Sequence, residues 1–398
     1  MTAARTRLVV RGEVRVPGDK SVSHRALMFS TLADAPSTIR GILQSADIES
    51  TAGALRALGR PVPQLSPVMR VDGSGLLSHL PSPISILNCG NSGTSARLLM
   101  GLVAGWPVAA TLTGDASQSR RPMRRVATPL TAMGARVEFG GTDGLPLTVH
   151  GGALRSLEWT MEHASAQVKS ALLLAGVTGG VAVVLHEPVA TRDHTERMLR
   201  AQGVAIDVGA GLIVLDPPLR LAPLDITVPG DPSAAAFFAA LGALADSGSL
   251  VIRDVGLNPG RAGFIQVLRR MGARVEIVER HDGAPEPMGD LIVRPGHLAE
   301  TRITPDEIPA LIDELPVLAC VAARAVGETV ITGAGELRVK ESDRITAVVE
   351  NLRAIGVDAD ELPDGMRIRG GTGPLAGSVR THGDHRLAMA FGVLGAAA

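Results

Sequence analysis

Six runs of small apolar residues along this chain have helical character, and each run opens with a polar or charged residue. The openings recur at intervals of 66 to 82 residues, which indicates an internal repeat. They lie at Lys20, Asn91, Ser165, Asp231, Asp313 and Asp384. The pattern predicts six helices that begin at equivalent places in six similar units.

A second repeated feature lies between the openings, where a Leu precedes a Gly by four residues. The pairs are Leu55/Gly59, Leu130/Gly134, Leu199/Gly203, Leu268/Gly272 and Leu352/Gly356. Because Gly adopts the left-handed conformation readily, each Gly predicts the end of a Leu-rich helix. A strand-like stretch follows four of the five pairs, as at residues 136–139 and 274–277. The chain is therefore predicted to consist of repeated α/β units.

The polar openings matter because the first turn of a helix attracts anions. Its backbone N–H groups lack partners, and the aligned peptide dipoles place roughly +0.5 charge there. Residues 20–25, 91–97 and 165–169 add cations or hydroxyl groups to three of the openings. If the openings converge, they form a pocket for a polyanion. The alternative is a set of ordinary helices whose polar first turns are merely capped.

Two Pro-Gly turns divide the chain. They lie in Val16-Pro17-Gly18 and Val228-Pro229-Gly230, and each directly precedes a helix opening. We expect an α/β fold of two similar globules with three repeats each. The N-terminal globule would span residues 20–228, and the C-terminal globule residues 1–19 plus 229–398, with an incomplete third repeat. In this arrangement residues 1–19 would supply a strand that the last repeat lacks.

Composition restricts the possible ligands. With 39 basic and 40 acidic side chains among 398 residues, the chain has no excess charge for nucleic acid or an anionic membrane. Two Trp, six Phe and no Tyr are a poor basis for stacking on bases. Cys89 and Cys320 lie in apolar surroundings without a C-x-x-C spacing, so we expect neither a disulfide nor a metal or other cofactor.

The chain also lacks sequence features of export or membrane insertion. A strand-like segment at residues 8–16 leaves no room for a signal peptide, and no apolar stretch is long enough to span a bilayer. We expect a cytoplasmic protein, and we also expect a monomer.

The densest group of charged residues is the heptapeptide Arg338-Val339-Lys340-Glu341-Ser342-Asp343-Arg344, which Gly383-Asp384-His385-Arg386 follows later in the chain. Three cations and two carboxylates in seven residues could form a solvated helix face. The heptapeptide, however, follows a strand-like stretch at residues 330–333 and lies between helix openings that bear Asp313 and Arg386. We therefore favour a functional site.

Six segments resemble the signature segments of the enolpyruvylshikimate phosphate synthase family, also called 3-phosphoshikimate 1-carboxyvinyltransferase. They occur in family order along essentially the whole chain, at Pro17-Gly18-Asp19-Lys20-Ser21, Gly90-Asn91-Ser92-Gly93-Thr94, Arg121-Pro122-Met123, Ser165-Ala166-Gln167, Arg338 to Arg344 and Asp384-His385-Arg386. The resemblance implies two globules of three β/α units, an inside-out α/β barrel with helix N-termini facing the cleft. It also implies a transferase of the shikimate pathway to chorismate and the aromatic amino acids.

Further segments resemble markers of the class II branch. Three match, at residues 18–21, 165–169 and 192–196, whereas Asn258-Pro259-Gly260-Arg261 stands where the branch has Asn-x-Thr-Arg. Gly93 stands where a larger side chain would crowd phosphoenolpyruvate, so inhibition by the herbicide glyphosate is a further expectation from the resemblance.

The resemblance also assigns substrates to residues. Shikimate 3-phosphate would be held by Lys20, Ser21, Arg25, Ser165, Gln167, Arg192, Asp313 and Lys340. Phosphoenolpyruvate would be held by Lys20, Gly93, Arg121, Gln167, Arg344 and Arg386. Arg and Lys suit this role because the two substrates bring two phosphates and two carboxylates, with which Arg pairs bidentately.

The implied reaction joins the 5-hydroxyl of shikimate 3-phosphate to C2 of phosphoenolpyruvate and then expels phosphate. It needs a base for the hydroxyl proton and an acid for the methylene carbon. Asp313 is the expected base, with Lys340 to assist it, and Glu341 is the expected acid. Lys20 completes the catalytic set. The alternative for Asp313 is a plain helix N-cap.

Two other functions stay open. A related enolpyruvyl transferase acts on UDP-N-acetylglucosamine, but that resemblance would place a Cys at residues 117–122, which contain none. A non-catalytic, anion-binding or scaffold relative would have lost one of Lys20, Asp313, Glu341 and Arg344, and all four are present.

The repeat spacing also leads to an expectation about the end of the chain. In five repeats the capping Gly follows the helix opening by 38 to 43 residues. The same spacing after Asp384 would place a sixth capping Gly near residue 425, by rough extrapolation. We therefore expect a truncated form that lacks the end of its sixth repeat, with lower stability and impaired activity.

Overall fold

The computed structural model describes residues 7–76, 85–162, 164–280 and 284–398. These residues form two compact units. The N-terminal unit comprises residues 18–228 and the short segment 284–286, and the C-terminal unit comprises residues 7–17, 229–280 and 287–398. Each unit has its own hydrophobic core.

The N-terminal unit, within its described residues, contains three sheets. Its helices are α1 (Lys20–Leu32), α2 (Ala46–Ala57), α3 (Gly93–Ala104), α4 (Arg124–Met133), α5 (Ala166–Gly179) and α6 (His194–Ala201). Its strands are β2 (Ser37–Arg40), β3 (Val68–Val71), β4 (Ser85–Asn88), β5 (Ala109–Thr113), β6 (Arg136–Phe139), β7 (Leu147–His150), β8 (Leu157–Thr160), β9 (Val183–His186), β10 (Ile206–Gly209), β11 (Leu212–Leu215) and β12 (Asp225–Thr227). The strand orders are β12-β2-β3, β4-β5-β7-β6 and β10-β11-β9-β8.

The C-terminal unit, in the part that the structure describes, contains two sheets. Its helices are α7 (Pro232–Leu244), α8 (Gly263–Arg270), α9 (Leu315–Ala322), α10 (Arg344–Ala354) and α11 (His385–Ala396). Its strands are β1 (Gly12–Arg15), β13 (Leu250–Gly256), β14 (Arg274–Arg280), β15 (Met288–Arg294), β16 (Arg302–Ile303), β17 (Gly327–Ile331), β18 (Asp358–Leu362) and β19 (Gly365–Gly370). The strand orders are β1-β13-β15-β14 and β16-β17-β19-β18.

Three sheets repeat one order of elements without interruption. In the sheet of β4, the chain runs strand, helix, strand, helix and hairpin. The first two strands are parallel, and the second hairpin strand lies antiparallel between β5 and the first hairpin strand. The sheets that begin with β8 and β16 have the same order and pairing. The predicted repetition of α/β units is confirmed.

The other two sheets take their first strand from a distant part of the chain. Strand β12 pairs in parallel with β2, and β1 pairs in parallel with β13. Strand β1 therefore completes the first repeat of the C-terminal unit. The expectation that residues 1–19 complete the last repeat of this unit is wrong. The reason is local, since Gly230 before α7 forms only an isolated bridge with β13 and leaves the rest of that edge to β1.

Most helices begin and end where the pattern predicts. Lys20 is the first residue of α1, and Ser165, Asp231 and Asp384 are the N-caps of α5, α7 and α11. The five capping glycines all have positive φ, from 74° to 113°. They are Gly59, Gly134, Gly203, Gly272 and Gly356.

Three details differ from the prediction. Helix α3 begins at Gly93 with Ser92 as its cap, two residues after the predicted opening. Asp313 lies in a 3₁₀ turn at Ile312–Glu314, so it is not the N-cap of α9, which begins at Leu315. The charged heptapeptide is not a helix face, because residues 335–339 form a 3₁₀ turn and α10 begins only at Arg344.

Close packing of α3 against α5 fixes the ends of these helices. Residues 168–178 of α5 are all buried. A Cβ added to Gly101 of α3 would lie 2.0 Å from the carbonyl oxygen of Ala171, so only Gly allows the two backbones to come this close. The N-termini of both helices are thereby held in place by a rigid core. No helix in the described part of the chain is long and apolar enough to cross a membrane.

Candidate active site

The start of α1 carries the first group of predicted residues. Asp19 caps the helix, with its Oδ1 accepting a hydrogen bond from the Val22 N–H at 2.8 Å. The Lys20 Nζ lies 3.1 Å from Asp47 Oδ2, and 42% of the Lys20 side chain is exposed. Ser21 follows in the first turn and is partly buried. A cation and a hydroxyl group thus stand at the positive end of a helix dipole.

A second group surrounds the start of α3. A Cβ added to Gly93 would lie 3.2 Å from Arg97 Nη1 and 3.3 Å from Arg121 Nη1. Arg121 also donates to Asn91 Oδ1 at 2.8 Å, and Arg97 donates to Gln167 Oε1 at 2.5 Å. Because Gln167 lies in the first turn of α5, Arg97 joins the starts of α3 and α5. The structure thereby brings the predicted residues Gly93, Arg121 and Gln167 together.

Arg25 is placed differently from the other predicted cations. Only 2% of the residue is exposed. Its guanidinium donates to Thr195 Oγ1 at 2.9 Å, to Ser170 Oγ at 2.7 Å and to the Ser21 carbonyl oxygen at 2.9 Å. Burial lowers the pKa of Arg25 to about 10, which leaves it protonated at neutral pH. A positive charge is thus held beneath the start of α1 by uncharged oxygen acceptors.

The last two predicted residues of the N-terminal unit precede helices. Ser165 is the N-cap of α5, and its hydroxyl oxygen accepts from the Val168 N–H at 3.4 Å. Arg192 lies two residues before α6 and is partly exposed. Both residues therefore contribute polar groups near positive helix ends.

In the C-terminal unit, Asp313 lies among three cations, of which Arg261 comes from a distant part of the sequence and Lys340 and Arg344 from the charged heptapeptide. Its Oδ2 is 3.7 Å from Arg261 Nη1, and its Oδ1 is 3.8 Å from Lys340 Nζ and 3.7 Å from Arg344 Nη1. The Asp313 side chain is 16% exposed. A carboxylate at this position, with cations close to both of its oxygens, can accept a proton from a bound substrate.

Arg344 is the most deeply placed of these cations, with 1% of its side chain exposed. Its Nε and Nη2 donate to the two carboxylate oxygens of Asp384 at 2.7 and 3.3 Å. Nη2 also donates to Glu341 Oε2 at 2.7 Å. The Ser342 hydroxyl donates to Asp384 Oδ2 at 3.1 Å. Asp384 and Glu341 therefore hold the Arg344 guanidinium next to Asp313.

Arg386 contacts Asp313 at its main chain. Its Nη1 donates to the main-chain carbonyl oxygen of Asp313 at 3.0 Å and lies 4.0 Å from Glu314 Oε1. Glu314 is 1% exposed and accepts a hydrogen bond from the Ser233 hydroxyl. Burial raises the pKa of Glu314, although the charge of Arg261 opposes this shift. The structure thus brings Asp313, Lys340, Glu341, Arg344 and Arg386 into one cluster.

Sequence reasoning assigned no role to several residues of these two clusters. They are Arg97, Arg261 and Glu314. Arg261 ends the imperfect fourth class II marker, and Glu314 is the neighbour of Asp313, so both had a signal in the sequence. What these residues contribute to the site depends on how deeply their charged side chains are buried. The sequence does not show this, because burial depends on which elements pack around each side chain.

Both clusters suit anionic substrates. The guanidinium groups of Arg121, Arg344 and Arg386 can each pair with a carboxylate or a phosphate. Among the described residues, no group of three or more His, Cys, Asp or Glu side chains could hold a metal ion. The positive charge in these clusters is supplied by Arg and Lys.

Comparison with known proteins identifies the family. The family model "EPSP synthase (3-phosphoshikimate 1-carboxyvinyltransferase)" matches residues 5–398. A 3-phosphoshikimate 1-carboxyvinyltransferase from Sulfurihydrogenibium sp. is 44% identical over an alignment of 392 residues that covers 97% of this chain and 90% of that protein. The protein of the same name from Xylella fastidiosa (strain Temecula1) is 47% identical over 389 residues, covering 97% of this chain and 85% of that one.

A solved structure supports the same relationship. The EPSP synthase from Acinetobacter baumannii at 2.37 Å superposes with a TM-score of 0.86 at 39% sequence identity, covering 98% of this chain and 91% of that chain. The expected α/β fold of repeated units is confirmed by this likeness. The chain belongs to the EPSP synthase (3-phosphoshikimate 1-carboxyvinyltransferase) family.

Proposed function

We propose that this protein transfers the enolpyruvyl group of phosphoenolpyruvate to the 5-hydroxyl of shikimate 3-phosphate and releases phosphate. The reaction belongs to the shikimate pathway to chorismate and the aromatic amino acids. The observation that carries the proposal is the Asp313 carboxylate among Arg261, Lys340 and Arg344, in a chain of which 97% aligns with 3-phosphoshikimate 1-carboxyvinyltransferases.

Phosphoenolpyruvate is assigned to the cations near the helix starts. We propose that Lys20, Gly93, Arg121, Gln167, Arg344 and Arg386 receive it. In support, Gly93 leaves space between two guanidinium groups, since any Cβ there would lie 3.2 to 3.3 Å from Arg97 and Arg121. Glyphosate, if it competes for this space, would meet the same residues.

Shikimate 3-phosphate is assigned mainly to the N-terminal unit. We propose that Lys20, Ser21, Arg25, Ser165, Gln167 and Arg192 hold it, together with Asp313 and Lys340. In support, the charge of Arg25 lies directly below the start of α1, and Ser165 and Gln167 share the first turns of α5. Helix N-termini and cations together favour a phosphate group.

Proton transfer is assigned to the C-terminal unit. Asp313 would accept the proton of the substrate hydroxyl. The Lys340 ammonium group, 3.8 Å from Asp313, would stabilise the negative charge that develops on the hydroxyl oxygen. Glu341 would protonate the methylene carbon. Its carboxylate is paired with Arg344 at 2.7 Å, and Arg344 is also one of the residues assigned to phosphoenolpyruvate, so the proposed acid lies next to the proposed site of that substrate.

The alternative activity on UDP-N-acetylglucosamine has little support. That activity would use a reactive Cys, and the chain has two cysteines. Both are buried, and burial raises the pKa of the Cys89 thiol to about 12 and that of Cys320 still further. Such thiols stay protonated at neutral pH.

The test is release of inorganic phosphate with each substrate alone and with both together. We expect release only when shikimate 3-phosphate and phosphoenolpyruvate are both present, with the carboxyvinyl ether identified by mass spectrometry. Release with UDP-N-acetylglucosamine as acceptor would favour the alternative transferase. Binding of both substrates without any turnover would favour a non-catalytic relative. We further propose a cytoplasmic monomer, which light scattering of the purified chain at several concentrations would check.

A further inference from the structure

A buried group of charges lies below the shikimate 3-phosphate residues of the N-terminal unit. Lys169, in the second turn of α5, is 1% exposed at its side chain. Its Nζ lies 2.9 Å from Glu187 Oε1 and 2.8 Å from Glu196 Oε1. Glu196 is in the first turn of α6 and is fully buried. Burying an ammonium group and two carboxylates costs desolvation free energy, which is offset only if the three groups are held in contact. An arrangement of this kind therefore needs an explanation.

The cluster is connected to the segment between β9 and α6. Glu187 Oε1 accepts hydrogen bonds from the Thr191 N–H at 3.2 Å and from the Thr191 hydroxyl at 2.5 Å. Lys169 Nζ donates to the Thr191 carbonyl oxygen at 3.4 Å. The Glu187 N–H itself donates to the Gly211 carbonyl oxygen at 2.7 Å. The N–H, the hydroxyl and the carbonyl oxygen of Thr191 are therefore all hydrogen-bonded to the buried side chains of Glu187 and Lys169.

Arg192 is the next residue after Thr191 in this segment. Residues 188–190 are exposed, whereas Thr191 and Arg192 are partly buried, so the contacts of Thr191 attach the segment to the core directly before Arg192. The same Lys169 lies four residues after Ser165 and two after Gln167, on the helix that carries them. One ammonium group thereby links the start of α5 to the residue that precedes Arg192.

We propose that Lys169 and Glu187 are positioning residues that hold Arg192 for shikimate 3-phosphate through Thr191. They do not touch the substrate in this proposal, which rests on the function proposed above. Fixing a guanidinium before the substrate arrives saves the entropy of ordering it on binding. Loss of the Thr191 hydroxyl contact should therefore weaken binding of shikimate 3-phosphate and leave binding of phosphoenolpyruvate unchanged.

The test uses Thr191→Val, because replacing Lys169 would leave two buried carboxylates unpaired and could prevent folding. Loss of one hydroxyl contact should raise the Kd of shikimate 3-phosphate about fivefold, measured by calorimetry without turnover. Thr191→Ser keeps the hydroxyl and should restore the wild-type Kd. Thr178→Val is the control for loss of a buried hydroxyl, since Thr178 is buried and donates from its hydroxyl to the Leu174 carbonyl oxygen at 2.9 Å, near the other end of α5.

A double-variant cycle separates positioning from a general loss of packing. In an Arg192→Ala background, Thr191→Val should have no further effect on the Kd of shikimate 3-phosphate. The inference would be overturned if Thr191→Val raised the Kd of shikimate 3-phosphate equally in the wild-type and Arg192→Ala backgrounds. It would also be overturned if Thr191→Val and Thr178→Val gave the same Kd. In both cases the proposed function would stand. If the wild-type chain does not bind shikimate 3-phosphate at all, the proposed function fails, and the inference fails with it.

Discussion

Replacing Asp384 by Asn offers a sharp test of how the C-terminal unit holds Arg344. Asp384 is fully buried and accepts four hydrogen bonds, from Arg344 Nε and Nη2, from the Ser342 hydroxyl and from the Arg386 N–H. In all four hydrogen bonds the partner group is the donor and Asp384 is the acceptor. In Asp384→Asn one carboxylate oxygen becomes an NH₂ group, which must face at least one of these donors.

The expected cost follows from burial. Breaking a buried ion pair on one side costs about 3–5 kcal/mol, because the remaining charge stays away from water. Arg344 keeps Glu341 at 2.7 Å, so we expect a value near the lower limit, about 3 kcal/mol. The helix cap itself is retained, because Asn caps as well as Asp. The cost can therefore be attributed to the lost charge and to the donor that the new NH₂ group faces.

The matched control is Asp343→Asn in the same unit. Asp343 caps α10 and pairs with Arg338 at 2.8 Å, as Asp384 caps α11 and pairs with Arg344. The Asp343 and Arg338 side chains are 39% and 27% exposed, so this pair is worth only about 0.2–1 kcal/mol. The two substitutions are identical in chemistry and differ in burial.

The assay is calorimetric and urea-induced unfolding of the wild type and both variants. We expect Asp384→Asn to lower the Tm of the C-terminal transition by about 6–12 °C, from about 2–4 °C per kcal/mol for a unit of this size. Asp343→Asn should lower it by about 4 °C at most, on the same scale. If the two variants unfold at the same temperature, burial of Arg344 does not determine the strength of its pairing, and the reasoning is refuted.

Four further outcomes are expected. Asp313→Asn should lower kcat by about 10²- to 10⁴-fold with a small change in KM, whereas Arg121→Ala should chiefly raise the KM for phosphoenolpyruvate, as steady-state kinetics would show. Gly93→Ala should also raise that KM, because its methyl group would press on Arg97 and Arg121, and an unchanged KM would contradict this. Phosphate release should be unaffected by a chelator such as EDTA, since Arg and Lys supply the positive charge. Finally, burial raises the pKa of Asp384, but the hydrogen bonds and charge of Arg344, together with the Arg386 N–H and the Ser342 hydroxyl, hold that pKa below its ordinary 3.8. The resulting stabilisation is present above pH 3.8 and is lost as the pH falls through the lower folded pKa. The stability of Asp384→Asn should therefore depend less steeply on pH below about pH 4 than that of the wild type.

Local sequence determined the elements and their repetition. The five capping glycines were predicted from a Leu-to-Gly spacing, and all five have the left-handed conformation that only Gly adopts readily. The openings at Ser165, Asp231 and Asp384 proved to be N-caps. These features depend on contacts within a few residues along the chain, so the order of residue types is sufficient to predict them.

The pairing of distant strands was decided by the tertiary structure. Nothing in the repeat spacing says which sheet has an open edge. The sequence therefore suggested the last repeat as the partner of β1, whereas β1 pairs with β13. Strand pairing is a contact between elements that are far apart in sequence, and it depends on which edge the rest of the fold leaves unpaired.

The charged cluster shows the same division. Asp313, Lys340 and Arg344 belong to recognisable segments, and the family resemblance gave each of them an expected role. Their environment could not be read from those segments, because Asp313 lies in a 3₁₀ turn and meets Arg261, which is 52 residues earlier in the chain. A motif determines which charges are available, but packing determines how far each charge is removed from water, and the strength of its pairing depends on that removal.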